Sequence, residues 1–228
     1  MANMQLISSL RVIALFDELG DVDLARISER CTMFTYRRHA QILGEHEQTN
    51  DVFFILAGSV RINSISPKGR EVIYSESHAG NIFGEFSAID GLPRSATVFA
   101  LTDCTLARMP AKAFFELLHS NAPVATKLVE LLVAKIRKTS QQVFEVAALS
   151  LRERLRRELL RLADGGERVG QSVVIKPAPT HQEIASHVGS HREAVTREFN
   201  RFEAEGLLEV HRRHICILDL NRLERMRP

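Results

Sequence analysis

The sequence predicts an α+β protein in three parts: a β-rich stretch that closes on itself, one long helix, and a helical unit carrying a small wing. Three observations predict it. Between Met33 and Met109, short runs rich in β-branched and aromatic residues are punctuated by Gly44, Gly58, Gly69, Gly80 and Gly84, a spacing suited to the tight corners of a closed β structure. After Pro123, apolar residues recur at helical steps as far as about Ala147. Finally, PTHQEIASHVGSHREAVTREFNRFEAEGLLEV, from Pro179 to Val210, holds two helix-start signatures about ten residues apart.

Each element follows from its residues. Leu6, Leu10, Ile13 and Phe16 recur at helical spacing, and Asp21 is placed to cap a second turn bearing Leu24 and Ile27. The runs DVFFILAGSVRI, REVIYSES and RSATVFALTDCTLARM read as strands. AKAFFELLH reads as a short helix stopped before SNAP, and Pro123 suits the first turn of the long helix. In that helix Leu128, Leu132, Ile136, Thr139, Val143 and Val146 form a near-heptad stripe, the pattern of a helix that pairs with a symmetry mate. A further helix starts near Leu151 and ends at Gly165–Gly166. The resulting division is 1–120, 121–147 and 148–228.

The C-terminal motif is the most informative. Thr180 with Glu183, and Ser190 with Glu193, each form a capping-box pattern, and Gly189 lies between them where a tight turn needs a permissive backbone. In the second helix Val195, Phe199 and Phe202 share the buried face. Glu193, Thr196, Arg197 and Asn200 project from the opposite one, with Arg192 near its exposed start. Gly206 stops it, and LLEVHRRHICIL follows as two short strands around a basic tip: a winged helix-turn-helix. Arg offers two parallel hydrogen bonds to the major-groove edge of guanine, and a carboxylate accepts from the cytosine amino group. Arg192, Glu193 and Arg197 therefore form a base-reading set, with Glu193 limited if its carboxylate also closes the capping box. Gln182, Arg212 and Arg213 are placed for phosphates.

Composition narrows the class. The 228 residues are 45% hydrophobic and 25% charged, with a formal net charge of +2, ordinary for a globular protein. Basic residues outnumber acidic ones after residue 150, where five of the nine His also fall. Cys31, Cys104 and Cys216 stand far apart, so neither a zinc site nor a local iron–sulfur cluster is expected, and the thiols read as buried groups in a reducing cytoplasm. No secretion signal or membrane-length apolar run is seen. No nucleophile–base set, carboxylate pair or metal constellation emerges, which points away from an enzyme.

One stretch, GEFSAIDGLPRSATV from Gly84 to Val98, sets a Glu and an Arg among apolar strands. It resembles the phosphate-binding cassette, and VGSHREAVTRE the recognition helix, of the cyclic-AMP receptor protein/fumarate-nitrate regulator (CRP/FNR) family of bacterial transcription factors, its cyclic-AMP-responsive subgroup in particular. The resemblance covers nearly the whole chain. It implies an N-terminal cyclic-nucleotide-binding β-roll (a double-stranded β-helix), a dimerisation helix, and a winged helix that binds double-stranded DNA at a palindromic site as a homodimer. Contact with RNA polymerase is also implied, with the LADGGERVGQ loop as one place for it.

A cyclic nucleotide carries one phosphate charge and a ribose with a free 2′-hydroxyl. Arg94 is expected to pair with the phosphate as a forked donor, Ser95 to add a hydroxyl, and backbone N–H groups from Gly84 onward to complete an anion nest. Glu85 is expected to accept from the 2′-hydroxyl. A structural Glu85–Arg94 ion pair, in a sensor that has lost nucleotide binding, is the alternative. In the family, hydroxyl residues on the dimer helix meet the base across the subunit boundary, and Thr139 and Ser140 match them. The allosteric ligand implied is cyclic AMP (cAMP), with cyclic GMP (cGMP) also compatible with Ser95, Thr139 and Ser140. Lys138 stands where cAMP-responsive members carry an apolar residue. His191 and Ala194 replace phosphate-contacting hydroxyl residues, and His181 replaces an Arg.

Overall fold

The computed structural model describes residues 2–69 and 71–226; Arg70, which opens the run REVIYSES, lies outside them. The chain divides into two compact units at Arg137/Lys138. That division falls inside the helix that the sequence sets apart at 121–147.

In the first unit, α1 (Ala2–Leu10), a 3₁₀ turn (Ala14–Phe16) and α2 (Asp21–Glu29) precede a run of strands. These are β1 (Thr32–Tyr36), β2 (Gln41–Leu43), β3 (Val52–Ala57), β4 (Ser59–Ile65), β5 (Glu71–His78) and β6 (Ile82–Phe83). Then come α3 (Glu85–Asp90), β7 (Thr97–Ala100), β8 (Cys104–Met109), α4 (Ala111–Ser120) and the long α5 (Ala122–Ala148). Antiparallel sheets β1-β8-β3-β6 and β2-β7-β4-β5 form the roll. Side chains alternate across β3. Phe53 and Ile55 face a core shared by the two sheets with Val60, Val98 and Leu106, while Val52 and Phe54 face a second core with α1, α2 and α4. Burial on both faces is why this strand reads as an unbroken apolar run. The cap expected at Asp21 is Gly20 instead; Asp21 is the first helical residue and pairs with Arg11.

The near-heptad stripe of α5 splits into two kinds of position. Leu128 is buried and Leu132 half-buried against the first unit's own helical core. Further along, Ile136, Val143 and Val146 are 65%, 64% and 53% exposed.

The second unit contains the end of α5, then α6 (Leu151–Ala163), β9 (Glu167–Val169), β10 (Ser172–Ile175), α7 (His181–His187), α8 (Arg192–Ala204), β11 (Leu208–Val210), β12 (Ile215–Ile217) and α9 (Leu220–Arg225). Its core joins Leu155 and Leu159 to Ile184, Val195, Phe199, Phe202 and Ile217. Two features depart from the sequence reading. LADGGERVGQ is not a plain loop: β9 pairs with β10, and the sheet runs β11-β12-β10-β9. The strands are three and four residues long, too short for a periodic signal. The second departure concerns the caps. Thr180 and Glu183 close a reciprocal capping box, but α8 begins one residue later than expected, with His191 at the N-cap and no side-chain cap bond.

The two caps can be told apart by stability. Thr180→Ala is expected to cost about 1 kcal/mol, the ordinary value of a hydroxyl N-cap, whereas Ser190→Ala removes no cap and leaves the urea midpoint nearly unchanged.

Candidate functional site

The cassette is built where β6 ends. Gly84 turns the chain at φ 82, and α3 follows for six residues before Gly91, at φ 71, stops it. A Cβ at Gly84 would lie 2.8 Å from both Arg94 Nη1 and Asp51 O. Only glycine combines that φ with that close approach. The turn buries Glu85 to 3% exposure and Arg94 to 2%.

Gly84, Glu85 and Arg94 are thus brought together, and each charge has a defined partner. Arg94 Nη1 donates to Gly84 O at 2.9 Å, Nη2 to Asp51 O at 2.8 Å and Nε to Thr49 Oγ1 at 2.9 Å. Its backbone N–H donates to Glu47 O at 3.0 Å, and its carbonyl accepts from His46 N at 2.9 Å. Three of the five guanidinium N–H groups are therefore used, leaving one on each terminal nitrogen. Burial lowers the Arg94 pKa, against the opposing pull of Asp51, Glu47 and Glu85. Glu85 Oε1 accepts from Lys135 Nζ on α5 at 2.6 Å, and the same ammonium lies 5.7 Å from the Phe86 ring centroid. Ser95 is exposed beside Arg94; Thr139 and Ser140 belong to the second unit and stand exposed on α5.

Lys135, Thr49 and Asp51 escape the sequence reading. Lys135 had a signal: a carboxylate buried among strands requires a counter-charge, and this lysine lies one helical turn before Thr139. The two loop residues had none, because Arg94 uses a backbone carbonyl of one and a hydroxyl of the other.

The second candidate surface lies on the helix-turn-helix. Val188 ends α7, Gly189 at φ 64 makes the turn, and Ser190 N donates to Ala185 O at 2.8 Å. Val195, Phe199 and Phe202 are buried; Arg192, Glu193, Arg197 and Asn200 are exposed. With no capping box at this helix, the Glu193 carboxylate is not held by a cap bond. Gln182 is exposed in the first turn of α7, and Arg212 and Arg213 are exposed between β11 and β12. There His211 N donates to His214 O at 2.9 Å, and the two imidazoles stack with centroids 4.3 Å apart.

Two residues take roles other than those expected. Thr196 does not reach out to solvent: its hydroxyl donates to Arg192 O at 2.9 Å and meets His181 Nδ1 at 2.9 Å. A hydroxyl has one hydrogen, so His181 Nδ1 is the donor in that second bond. The His181 ring also lies 4.8 Å from that of Phe199. His181 therefore joins α7 to α8.

Comparison with known proteins finds one domain family in each of the two units. Residues 33–121 match the cyclic nucleotide-binding domain family, and residues 153–226 match the Crp-like helix-turn-helix domain family. The chain belongs to the CRP/FNR family of transcription regulators. Within this family it is 29% identical over 188 residues to the cAMP-activated global transcriptional regulator CRP of Haemophilus influenzae, covering 82% of this chain and 84% of that one. A CRP/FNR transcriptional regulator from Thermus thermophilus superposes with a TM-score of 0.66 at 27% identity, covering 85% of this chain and 96% of that one. The c-di-GMP-responsive global regulator CLP of Xanthomonas campestris shares the fold with a TM-score of 0.78 at 20% identity, covering 87% and 99%. The protein is a DNA-binding CRP-family transcription regulator with a cyclic-nucleotide-binding domain.

His181 yields a pH test. Burial first, then the Arg192 charge, holds its imidazole below the ordinary histidine range, with Glu203 opposing. A histidine whose folded pKa is depressed binds fewer protons folded than unfolded, so its contribution is complete above its ordinary pKa and declines as pH falls below it. Thermal melts from pH 7.5 to 5.5 are expected to show wild type losing more stability than His181→Gln, which keeps an N–H for Thr196 but does not titrate.

Proposed function

We propose that this regulator is a homodimer that binds cAMP, in preference to cGMP, in its β-roll and thereby re-aims paired recognition helices onto a palindromic site. The observation that carries this reading is the cassette itself. A carboxylate and a guanidinium, each no more than 3% exposed, flank a glycine that admits no side chain. The two unused N–H groups of Arg94, with the Ser95 hydroxyl, form a fork for the cyclic phosphate. Glu85 accepts from the ribose 2′-hydroxyl while retaining Lys135, since an ionised carboxylate has lone pairs for both. Thr139 and Ser140 of the partner subunit meet the base. The dimer forms along the exposed Ile136, Val143 and Val146 of α5, because an apolar stripe of this length on one helix calls for a facing surface.

In this reading residues 1–120 form the sensor, 121–147 the dimerisation helix and 148–228 the reader. Arg192, Glu193 and Arg197 contact base edges; Gln182 and Arg213 contact phosphates. The regulator works in the cytoplasm and reaches RNA polymerase through the segment that folds as β9 and its flanking turns. Among the described residues no helix is long and apolar enough to cross a membrane, and no group of His, Cys, Asp and Glu could hold a metal. The curated relatives named as cAMP-activated support cAMP as ligand. The hydroxyls of Ser95, Thr139 and Ser140 keep cGMP as the nearest rival.

A second reading, a family member that senses without a nucleotide, is favoured by one observation. Arg94 and Glu85 each already hold protein partners.

DNA affinity measured with cAMP, with cGMP and with neither separates these readings. The proposal expects a gain with cAMP that exceeds the gain with cGMP; no gain with either overturns it. Calorimetry on Arg94→Leu is expected to show no nucleotide binding together with a lowered melting temperature, because the variant also strips three hydrogen bonds from the cassette. Arg192→Ala is expected to relax specificity at one guanine per half-site by about 1–3 kcal/mol. Equal weakening on all sequences would mark it as a phosphate contact.

A further inference from the structure

Glu145, near the end of α5, is a buried carboxylate outside both surfaces described above, at 8% exposure. Its Oε2 accepts from Arg161 Nη2 of α6 at 2.6 Å, and its Oε1 accepts from Gln141 Nε2 at 3.0 Å and Arg157 Nη1 at 3.4 Å. Burial opposes its ionisation, but Gln141, Arg161 and Arg157 outweigh that and hold its pKa below the ordinary value. It is an anion gripped by two guanidinium groups of the next helix.

The contacts continue. Arg161 Nη1 donates to Glu158 Oε2 at 2.7 Å, and Glu158 Oε1 lies 3.6 Å from His187 Nδ1 at the end of α7. One turn earlier on α6, Arg154 Nη1 donates to Val188 O at 2.5 Å and Gly189 O at 3.4 Å. Those carbonyls belong to the turn that launches α8. A polar cleft lined by Gln142, Glu145, Arg154, Arg161, His187 and Val188 marks where the three helices converge.

We propose that Glu145 is a positioning residue: it straps the end of α5 to α6, and α6 passes that constraint through Arg154 and Glu158 to the helix-turn-helix turn, which fixes the aim of α8. The physical reason lies in burial. An exposed ion pair exchanges readily with water and constrains little. A buried carboxylate separated from its arginines is left uncompensated, although the arginines themselves are part-exposed, so the joint resists opening from the Glu145 side. The end of α5 and α6 then move as one body, and a displacement of α5 reaches the turn undiluted. The strap rests on the proposed function only for the origin of the signal, a nucleotide acting on α5.

Glu145→Gln tests it, since the amide keeps the shape and removes the charge. Three quantities are compared with wild type: cAMP affinity by calorimetry, the gain in DNA affinity on adding cAMP, and hydrogen exchange of the Val188 and Ser190 amides. The expected result is unchanged cAMP affinity, faster exchange at both amides, and a gain in DNA affinity reduced by about fivefold or more, the lower edge of ordinary allosteric coupling. Arg161→Gln should act alike, and the double variant should be no worse than either single one, as for residues in one network. A lowered melting temperature with exchange and DNA gain untouched, or additive losses in the double variant, overturns the strap. If wild type itself gains nothing from cAMP or cGMP, the proposed function fails, and exchange at the turn alone decides the strap.

Discussion

The first unit depends on a buried cation. Arg94 is withdrawn from water and is stable there because carbonyl oxygens of Gly84 and Asp51 and the Thr49 hydroxyl take the place of its hydration. Charge-assisted hydrogen bonds of this kind contribute about 1.5–3 kcal/mol each, enough together to offset a desolvation penalty of several kcal/mol. The guanidinium in turn dictates its surroundings. Gly84 must lack a side chain because Arg94 Nη1 occupies the space, and the loop bearing Thr49 and Asp51 must lie against the cassette because its oxygens are needed. The strands β6 and β7 that flank the cassette are thereby held to the loop between β2 and β3.

The second unit handles its charges differently. The buried face of α8 is apolar and its opposite side is left exposed, so orientation is supplied from outside the helix. His181 does this from α7 through Thr196, and the Gly189 turn does it through its backbone. Because Thr196 is engaged in this internal bond, the polar side chains left exposed on this stretch of α8 are Arg192, Glu193, Arg197 and Asn200. Glu193 has no box to close.

The near-heptad stripe of α5 serves two purposes in succession. Leu128 and Leu132 complete a core of their own unit, while Ile136, Val143 and Val146 are left facing outward. A periodic pattern cannot make that distinction. It reports which residues share a face, and the neighbours of the face are set by the fold.

The sequence by itself determined the order of the parts, the strands of the roll, the long helix and the paired helices around Gly189, and it singled out Glu85, Arg94 and the arginines of α8. These follow from periodicity, turn chemistry and residue type, which are local properties. Only the tertiary structure decided the partners: Lys135 on Glu85, the loop carbonyls on Arg94, Thr196 under His181, and the β9–β10 hairpin in place of a loop. It also moved the start of α8 to His191, where Ser190 makes no cap. The Arg94 partners are backbone carbonyls that every residue type carries alike, and the Lys135 and Thr196 contacts join side chains far apart in sequence or on different helices. The hairpin strands are too short for a periodic signal, so no local pattern encodes these outcomes.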